Sequence, residues 1–414
     1  MSEKGDEAGK SYPEFKLAAL FEKDQLHSSW KEELQSKPLE EPFSSADISA
    51  GLQQGKISSS ASFKKPLLDG WDQPALNPCN NQAEKCQDKN LADSQSSCKE
   101  TYELVALGTG DVCYEGWMEF NGRRVHDMHG MVVARRALLR QDPAALEKCI
   151  FCPAGDGVHL TLKPKYYLHL YLSRTPSGTS ENFQTRLSQP NPAVGLHVSI
   201  KGELRPVSYC RPSVLSSYVY CVSGSDKLTR WSFLGVQGAL LSHILLPVYI
   251  TSIVLADPYQ DPATLHWVIN DRLKLGPEDT LPKSYSRKQV YLLEGPRVAP
   301  IDAPPDCCSW SLNWCGGDEM LEFVKGTAGK AVRDISDPGD QYRPSRLCKA
   351  AMLSLFRKIA REMKREDLVL LPTYHQAKVQ AEIYQSAKRQ VYAQLSLQGY
   401  GKWPQKQLVD IFAS

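Results

Sequence analysis

The sequence predicts an α/β fold, in which a three-layer sandwich is followed by an added C-terminal helical region. Between residues 102 and 255, short apolar and β-branched runs alternate with helix-like runs, which is typical of strands joined by helices in layered folds. The last third then shows two long helical patterns, over residues 345–363 and 374–397, separated by a short acidic turn. These two observations place the sheet first and the helical region after it.

Five apolar runs predict the strands of the sheet. They are residues 102–107, 112–120, 166–173, 218–222 and 246–255. Thr109-Gly110-Asp111 predicts a turn between the first two runs. Helical spacing predicts helices over residues 131–140 and 226–243, whereas the many prolines of residues 281–306 predict an irregular connection.

Residues 1–98 differ in composition from the rest of the chain. They are rich in Ser, Gln, Asn, Lys and Glu and poor in β-branched residues, so they bury too little apolar surface to offset the entropy of ordering. We therefore expect a mostly disordered, acidic leader that contains one amphipathic helix over residues 15–34. The ordered domain is expected to occupy residues 99–414.

The charge of the chain is unevenly distributed, although its net value is only +2. Residues 1–100 carry 12 Lys and no Arg against 17 acidic residues, a net charge of −5. Residues 341–414 carry 13 basic and 5 acidic residues, a net charge of +8. The basic end favours an anionic partner, and the acidic leader is a candidate for recruiting protein partners.

The cysteines and the hydropathy bound the cellular compartment. Twelve cysteines occur without regular spacing and no signal peptide opens the sequence, so free thiols in a reducing compartment are expected. No run approaches 18 apolar residues, and no membrane contact is therefore expected. The expected location is the nucleus, the cytoplasm or both.

Three short segments occupy the kind of positions at which zinc deaminases carry their catalytic and zinc-binding residues. His129-Gly130-Met131 opens one predicted helix, Thr175-Pro176-Ser177-Gly178 follows a predicted strand, and Ser223-Gly224-Ser225 opens the next predicted helix. Zinc deaminases have a His-x-Glu at the first kind of position and a cysteine at each of the other two. Of these groups only the histidine is present here.

Further blocks keep a fixed order along the chain. They are Asp127-x-His129, Arg135-Arg136-Ala-Leu-Leu-Arg140, Leu168-His-Leu-Tyr-Leu-Ser173, Ser225-Asp-Lys-Leu-Thr-Arg-Trp231, Gly235-Val-Gln-Gly238, Ser311-Leu-Asn-Trp314, Ser345-Arg-Leu-Cys-Lys349, Tyr374-His375 and Gly401-Lys-Trp403. In this order they resemble the adenosine deaminases that act on RNA, over residues 102–412. The resemblance implies a cytidine-deaminase-like sandwich and an A-to-I editase-like domain. Within that superfamily the chain looks like the adenosine deaminase domain-containing proteins, a germ-cell group that has lost catalytic residues.

The resemblance assigns a family role to each of the three segments. It places Met131 at the proton-shuttling glutamate, and Ser177 and Gly224 at the two cysteine ligands, so His129 is the only retained residue of ligand type. Methionine transfers no proton, glycine offers no side-chain ligand and a serine hydroxyl binds Zn²⁺ poorly. We therefore expect no bound zinc and no hydrolytic deamination.

Other candidate ligands lie near these positions in sequence. His126 precedes His129 by three residues and Cys221 precedes Gly224 by three, so a substitute metal site with His129 stays open. The favoured interpretation is that His126 and Cys221 are packing residues. The motif Cys149-Ile-Phe-Cys152 is a lone CxxC without a second pair, and we interpret it as a coincidence.

A basic and aromatic cluster is predicted on the last helices. Tyr374, Lys378, Tyr384 and Lys388 fall within about 120° of one helical face. Spacing alone favours an ordinary solvated face with tyrosines packing inward. The resemblance instead implies a buried, structural inositol hexakisphosphate. The residues it implies as ligands are Arg135, Arg136, Lys227, Arg230, Trp231, Gln237, Lys349, Tyr374, Lys378, Tyr384, Lys388, Trp403, Lys406 and Asp410.

Lys201, Arg205 and Arg211 are the candidate RNA contacts. They lie on predicted loops, and A-form RNA is bound mainly through phosphates and 2′-hydroxyls. Surface lysines are often only solvated, and that alternative stays open. The relatives implied by the resemblance carry an upstream double-stranded-RNA-binding domain that is not recognisable in residues 1–100. High-affinity RNA binding by this chain alone is therefore not expected.

These observations give one leading hypothesis and two rivals. The leading hypothesis is a non-catalytic protein that binds double-stranded RNA and acts in RNA processing in male germ cells, during spermatogenesis. The first rival is an active adenosine-to-inosine RNA editing deaminase with an unusual site. The second rival is a protein–protein scaffold without RNA contact.

Overall fold

The computed structural model describes residues 14–20, 101–141, 149–178, 195–256, 262–276, 280–296, 309–332, 342–405 and 409–413. Their strands are β1 (Glu14–Leu20), β2 (Thr101–Gly108), β3 (Phe151–Pro153), β4 (Leu160–Leu162), β5 (Leu168–Leu172), β6 (His197–Ile200), β7 (Glu203–Pro206), β8 (Cys221–Val222), β9 (Ser252–Leu255), β10 (Tyr291–Glu294), β11 (Trp310–Cys315), β12 (Glu322–Lys325) and β13 (Lys330–Ala331). Their α-helices are α1 (Gly130–Leu138), α2 (Pro212–Ser217), α3 (Gly224–Leu234), α4 (Gly238–Leu241), α5 (Pro262–His266), α6 (Lys349–Glu362), α7 (Glu366–Val369), α8 (Tyr374–Val379) and α9 (Glu382–Leu397).

The main sheet is mixed and contains eight strands in the order β10-β9-β5-β1-β2-β11-β12-β13. The first five strands are parallel to one another, and β11, β12 and β13 are antiparallel. A smaller sheet pairs β6 antiparallel with both β7 and β8, and β3 pairs with β4 as a hairpin. The predicted α/β class is confirmed. In the described residues, no helix is long and apolar enough to cross a membrane.

Helix α1 packs against β2 and β11 and carries the first site segment. Its side toward the sheet is built from small and β-branched residues, among them Val133, Ala134 and Ala137. The approach is close because Gly108 of β2 has no side chain: a Cβ there would lie 2.3 Å from the amide nitrogen of Ala134. The helix begins directly after His129, which is therefore held at the edge of the sheet.

Helix α3 follows β8 directly and carries the third site segment. Ser223 caps it, because the Ser223 hydroxyl accepts a hydrogen bond from the amide of Asp226 at 3.3 Å. The C-terminal helices pack on this part of the domain, with α9 against α3 and α8 against α4. Their shared apolar core includes Phe233 of α3 and Ala387 and Val391 of α9, all fully buried.

The strand predicted over residues 112–120 is wrong. This segment is a loop with one isolated antiparallel bridge between Cys113 and Asp127, and Trp117 and Phe120 on it are 90% and 59% exposed. It cannot extend the sheet beside β2, because both edges of β2 are already paired, with β1 and with β11.

Two helices that were predicted as continuous are interrupted. The predicted helix over 226–243 breaks at Gly235, whose φ of +68° disfavours other residues and whose added Cβ would lie 2.8 Å from the carbonyl oxygen of Val248. The predicted helix over 374–397 breaks after Gln380, and Gln385 Nε2 donates to the freed carbonyl of Lys378 at 2.7 Å. The irregular connection predicted over 281–306 contains β10.

The predicted helix over residues 15–34 is wrong for the part that the structure describes. Residues 14–20 form β1, which lies between β2 and β5 and is parallel to both. Only residues 17–20 of this segment form a continuous apolar run, and pairing with a strand on each side outweighs the helical spacing. The remainder of the predicted leader, residues 1–13 and 21–98, lies outside the described residues.

Candidate functional site

Asp127 and His129 meet at the start of α1. His129 Nδ1 lies 2.9 Å from Asp127 Oδ1, and Lys227 Nζ of α3 lies 2.8 Å from Asp127 Oδ2. The three side chains are 12%, 8% and 9% exposed, for His129, Asp127 and Lys227 respectively. The Asp127 carboxylate therefore orients the imidazole and connects the start of α1 to α3.

Cys221 of β8 adds a sulfur to this group. Potential ligand atoms of Asp127, His129 and Cys221 all lie within 4.8 Å of one another, which is close enough for one metal ion to contact all three. Cys221 is also joined by a disulfide to Cys113, with a Cα–Cα distance of 6.2 Å. The expectation of free thiols is therefore wrong for this pair. The two cysteines are 108 residues apart, and nothing in their sequence spacing signals the pairing.

Ser177 and Gly224, the two positions that the resemblance assigns to cysteine ligands, lie side by side. Ser177 Oγ accepts a hydrogen bond from the amide of Gly224 at 3.3 Å, and the Ser177 carbonyl accepts one from Ser225 at 2.9 Å. A Cβ on Gly178 would lie 2.4 Å from the hydroxyl oxygens of Ser223 and Ser225, so this close approach requires glycine. The fold thus brings the second and third segments together, but it offers a hydroxyl and a bare glycine there.

Met131 lies in the first turn of α1, fully buried in the main apolar core. A thioether neither accepts nor donates a proton in general acid–base catalysis. The zinc site of the deaminases requires two thiolates with the histidine, and the hydroxyl of Ser177 and the hydrogen of Gly224 do not supply them. These residues therefore do not fit the zinc site that the resemblance implies.

His126 lies beside this group but takes a packing role. Its ring stacks on Tyr114 with centroids 5.9 Å apart and an interplanar angle of 16°. It also lines a small pocket with Met118, Tyr218 and Tyr220. The ligand atoms that gather around His129 come from Asp127 and Cys221 instead.

A cluster of cations occupies the interface between the sandwich and the C-terminal helices. Arg135 of α1 and Arg230 of α3 face each other there, and burial followed by repulsion from Arg230 lowers the pKa of Arg135 to about 9. Within the described part of the chain, the Nε atoms of Arg135 and Arg230 and the indole Nε1 of Trp231 are buried without a hydrogen-bond partner. Like charges with unused donors are costly to bury unless an anion compensates them. This cluster therefore fits a polyanion.

Lys378 and Lys388 extend the same cluster from α8 and α9. Burial, followed by repulsion from Arg230 and Lys378, lowers the pKa of Lys388 to about 8. Lys378 Nζ donates to Asp410 Oδ2 at 2.6 Å. Burial acts to raise the pKa of Asp410, but the charge and hydrogen bond of Lys378 outweigh burial and lower that pKa. The tyrosine hydroxyl of Tyr392 lies 3.4 Å from the Arg230 guanidinium. One carboxylate thus accompanies several cations.

Aromatic rings surround these cations. Arg135 lies over the ring of Trp231 at 5.5 Å, Arg230 over Trp403 at 5.3 Å, and Lys378 over Tyr374 at 5.6 Å. Burial acts to lower the pKa of Lys378, but Tyr374, Asp410 and then the buried Tyr384 outweigh it and raise that pKa. The four residues were predicted on one face of a single helix, but Tyr374 and Lys378 lie on α8 and Tyr384 and Lys388 on the separate helix α9.

The other predicted members of the cluster have partners of their own. Arg136 donates to the carbonyl of Leu347 at 2.9 Å. The Gln237 amide donates to the carbonyl of Leu234 at 2.8 Å and accepts from Val248 at 3.1 Å, so it fixes the turn after α3.

Lys349 begins α6, where its charge contributes to lowering the pKa of Asp410, although burial of that carboxylate is the largest influence and acts in the opposite direction. Lys406 lies outside the described residues.

Sequence reasoning missed two polar groups. Tyr392 was not predicted, although it lies four residues after Lys388 and eight after Tyr384, on the same helical face. Asp226 and Arg272 form a fully buried ion pair at 2.7 Å, and Asp226 Oδ2 also accepts from the amide of His197 at 2.8 Å. Asp226 therefore anchors the start of α3 against β6, which no local pattern indicates.

The three candidate RNA contacts lie on or near the small sheet. Lys201 forms the tight turn between β6 and β7 with a φ of +50°, and its Nζ lies 4.5 Å from the centroid of the exposed Tyr218 ring. Arg205 of β7 is paired with Glu203, with 3.0 Å between Arg205 Nε and Glu203 Oε2. Arg211 is exposed directly before α2. Lys201 is therefore freer than Arg205 to meet a phosphate.

Comparison with known proteins shows which protein family the chain matches. Residues 106–407 match the model of the "Adenosine-deaminase (editase) domain" family. The chain is 27% identical over 344 residues to the "Double-stranded RNA-specific adenosine deaminase" of Rattus norvegicus, covering 73% of this chain and 28% of that protein. It is 28% identical over 348 residues to the "Double-stranded RNA-specific editase B2" of the same species, covering 73% of this chain and 43% of that protein.

A further relative is the "Double-stranded RNA-specific editase Adar" of Drosophila melanogaster, 27% identical over 337 residues, with 73% of this chain and 48% of that protein covered. In each of these comparisons the matched region spans less than half of the relative's length. The family match itself extends over most of the chain, from β2 to the segment after α9. The chain therefore belongs to the adenosine-deaminase (editase) domain family.

Proposed function

We propose that this chain is a non-catalytic, RNA-binding member of the family, a pseudo-deaminase. One observation carries the proposal. The hydroxyl of Ser177 and the backbone of Gly224 meet at 3.3 Å, where the resemblance aligns two zinc-binding thiolates. With Met131 in place of a proton carrier and no cysteine at positions 177 and 224, this pocket lacks the base and two of the three zinc ligands that the family's hydrolytic deamination requires. The scaffold is kept while its chemistry is lost.

A structural inositol hexakisphosphate is the cofactor that we propose for the cation cluster. The unused Nε donors of Arg135 and Arg230 and the lowered pKa of Lys388 support it, because each indicates positive charge held in the interior without enough compensation. The phosphates would be held by these residues together with Lys378 and Trp231. Its contribution would be charge neutralisation and rigid packing, without a part in any reaction.

The proposed partner is double-stranded RNA. The relatives' names specify double-stranded RNA, and the small sheet of this chain offers Lys201 beside the exposed ring of Tyr218. A lysine next to an aromatic ring suits contact with phosphate and base together. Arg205 and Arg211 would add weaker phosphate contacts.

The finer assignment rests on the resemblance. From it we propose that the chain belongs with the germ-cell group of adenosine deaminase domain-containing proteins and acts in RNA processing during spermatogenesis. The proposed location is the nucleus, the cytoplasm or both. On the same basis, we propose that the sheet and its helices form a three-layer, cytidine-deaminase-like sandwich.

The decisive experiment is inosine measurement after incubation of the purified full chain with perfectly paired RNA. We expect no inosine above a protein-free control, while an active double-stranded RNA editase converts the same duplex. The triple variant Met131→Glu, Ser177→Cys and Gly224→Cys restores the proton carrier and both thiolates, and inosine appearing only in this variant would support the lost chemistry. Inosine produced by the unmodified chain would overturn the proposal in favour of an active editor.

Salt dependence separates RNA binding from the scaffold alternative. Binding through phosphates releases counterions, so retention on double-stranded RNA should fall steeply as the salt concentration rises. Retention that is absent, or that does not change with salt, would favour a protein–protein scaffold.

A further inference from the structure

We propose that Cys113, Cys221 and His129 form a metal site of their own when the two cysteines are reduced, and that the disulfide closes this site. The ligand chemistry is two thiolates and one imidazole, which suits Zn²⁺. This set shares only the histidine with the positions that the family uses. The inference goes beyond the proposed function, because it assigns a metal to a chain whose catalytic ligands are missing.

The backbone brings these groups together from three segments. Cys113 and Asp127 are directly opposite each other in an antiparallel bridge, so their side chains lie on the same face. Asp127 and Cys221 already lie within 4.8 Å of His129 by their ligand atoms. The disulfide places Cys113 beside Cys221, with Cα atoms 6.2 Å apart. Cys113 lies outside the group of ligand atoms within 4.8 Å, but it is next to Cys221 of that group and reaches a metal there by rotation of its side chain.

The Cα separation also suits the reduced, metal-bound form. Two thiolates on one tetrahedral Zn²⁺ stand about 3.8 Å apart when each bond is about 2.3 Å. Side-chain rotation within a 6.2 Å Cα separation can reach that spacing without moving β8 or the loop after β2. Both cysteines are buried, at 5% and 0% exposure for Cys113 and Cys221, so a metal there would be shielded from competing ligands.

Asp127 positions the imidazole and stays outside the ligand set. Its Oδ1 accepts from His129 Nδ1 at 2.9 Å, and its Oδ2 accepts from Lys227 Nζ at 2.8 Å. Metal-binding histidines typically donate their second ring nitrogen to a carboxylate in this way, which leaves Nε2 for the metal. His129 is 12% exposed, so water can occupy the fourth position.

The disulfide and the metal exclude each other. Oxidation of the two thiols by a low-molecular-weight disulfide, such as oxidised glutathione, forms one protein disulfide and releases two glutathione thiols. Both sulfur ligands are consumed and the imidazole alone does not retain the ion, so metal content reports the redox state of this pair. With Met131 as the neighbouring side chain in α1, the bound metal has no proton carrier and acts as a cross-link between α1, β8 and the loop after β2.

Cobalt substitution tests the proposal on the full chain. Co²⁺ added to the reduced protein should bind with about one equivalent and give the near-ultraviolet absorption of thiolate-to-cobalt charge transfer. Oxidised glutathione should abolish the absorption and a reductant should restore it. Cys221→Ser and Cys113→Ser should each weaken Co²⁺ binding at least tenfold, whereas Cys152→Ser, a matched change on β3, should leave it unchanged.

X-ray absorption at the zinc edge of the unmodified, reduced protein supplies a second measurement that requires no variant. We expect two sulfur scatterers and at least one imidazole per zinc. Absence of the charge-transfer band, its persistence in Cys221→Ser, or a zinc shell without sulfur would each overturn the proposal. No RNA is present in these measurements, so their failure leaves the proposed function standing, and inosine formation would end the proposed function without touching this site.

Discussion

The pocket around His129 and the cation cluster around Arg230 belong to one domain. They differ in how many of the residue types implied by the resemblance each of them contains. In the pocket, Ser177 and Gly224 lie next to each other, as two ligands of one metal would, but neither side chain is a thiolate. In the cation cluster, Arg135, Arg230 and Lys388 keep positive charge in the interior, where burial and then repulsion between the cations lower the pKa of Arg135 and of Lys388. The comparison teaches that the cluster keeps the buried positive charge that a polyanion would neutralise, whereas the pocket keeps its shape without the side chains that would hold the family's zinc.

The two regions are physically connected, which makes the contrast informative. Lys227 of α3 reaches Asp127, and Arg230 of the same helix reaches the cluster. The buried pair of Asp226 and Arg272 fixes the start of that helix. A polyanion that stabilises the cluster would therefore also hold the geometry of the pocket.

Arg230→Met should give the largest effect and distinguishes a loaded cluster from a bare one. If a polyanion neutralises the cations, losing this ligand leaves buried charge unpaired, at a cost of about 3–5 kcal/mol, or a fall in Tm of roughly 5–15 °C. If the cluster is bare, removing Arg230 relieves its repulsion on Arg135 and Tm should rise. Thermal unfolding of both proteins measures the sign, with Arg389→Met, an exposed position on α9, as the control.

The pH dependence of stability should give a smaller, graded signal. In the bare fold, Lys388 has a pKa of about 8 against an ordinary value of 10.5. Between these values the unfolded chain binds more protons than the folded one, so stability would rise with pH. A bound polyanion raises the lysine pKa and removes this rise.

We therefore expect urea midpoints of the purified protein between pH 8 and 10 to show no increase due to Lys388. The matched comparison is Lys388→Met, which cannot titrate at this position. A midpoint that climbs with pH in the unmodified protein and stays level in the variant would indicate a cluster without polyanion.

Lys201→Glu should give the smallest effect and sharpens the role of the small sheet. Loss of one phosphate contact should weaken binding to duplex RNA at all sequences and reduce the slope of log affinity against log salt by about 1. Arg205→Glu should change binding less, because Glu203 already neutralises Arg205. Filter binding over a salt series measures both slopes, with the exposed Lys283→Glu as control. Equal effects from Lys201 and Lys283 would mean general electrostatics and no defined contact.

Local patterns located most of the elements that carry function. The apolar run of β5, the small and β-branched face of α1 and the serine cap of α3 are all local properties, and each element lies close to its predicted position. The residue types at the three site segments are equally local, since Met131, Ser177 and Gly224 are read directly from the sequence.

Other features depended on competition between distant segments. Residues 112–120 have strand-like composition, but β1 and β11 occupy both edges of β2, and the segment is left as a loop. Residues 14–20 have helical spacing, but pairing with β2 and β5 makes them a strand.

The sequence by itself determined the α/β class and the side chains present at Met131, Ser177 and Gly224, because residue identity and hydrophobic period are local properties of the chain. Only the tertiary structure decided that Cys113 meets Cys221 and that Arg135 faces Arg230. Those contacts join residues about a hundred positions apart. Their geometry follows from how the sheet and helices pack, which no local pattern encodes.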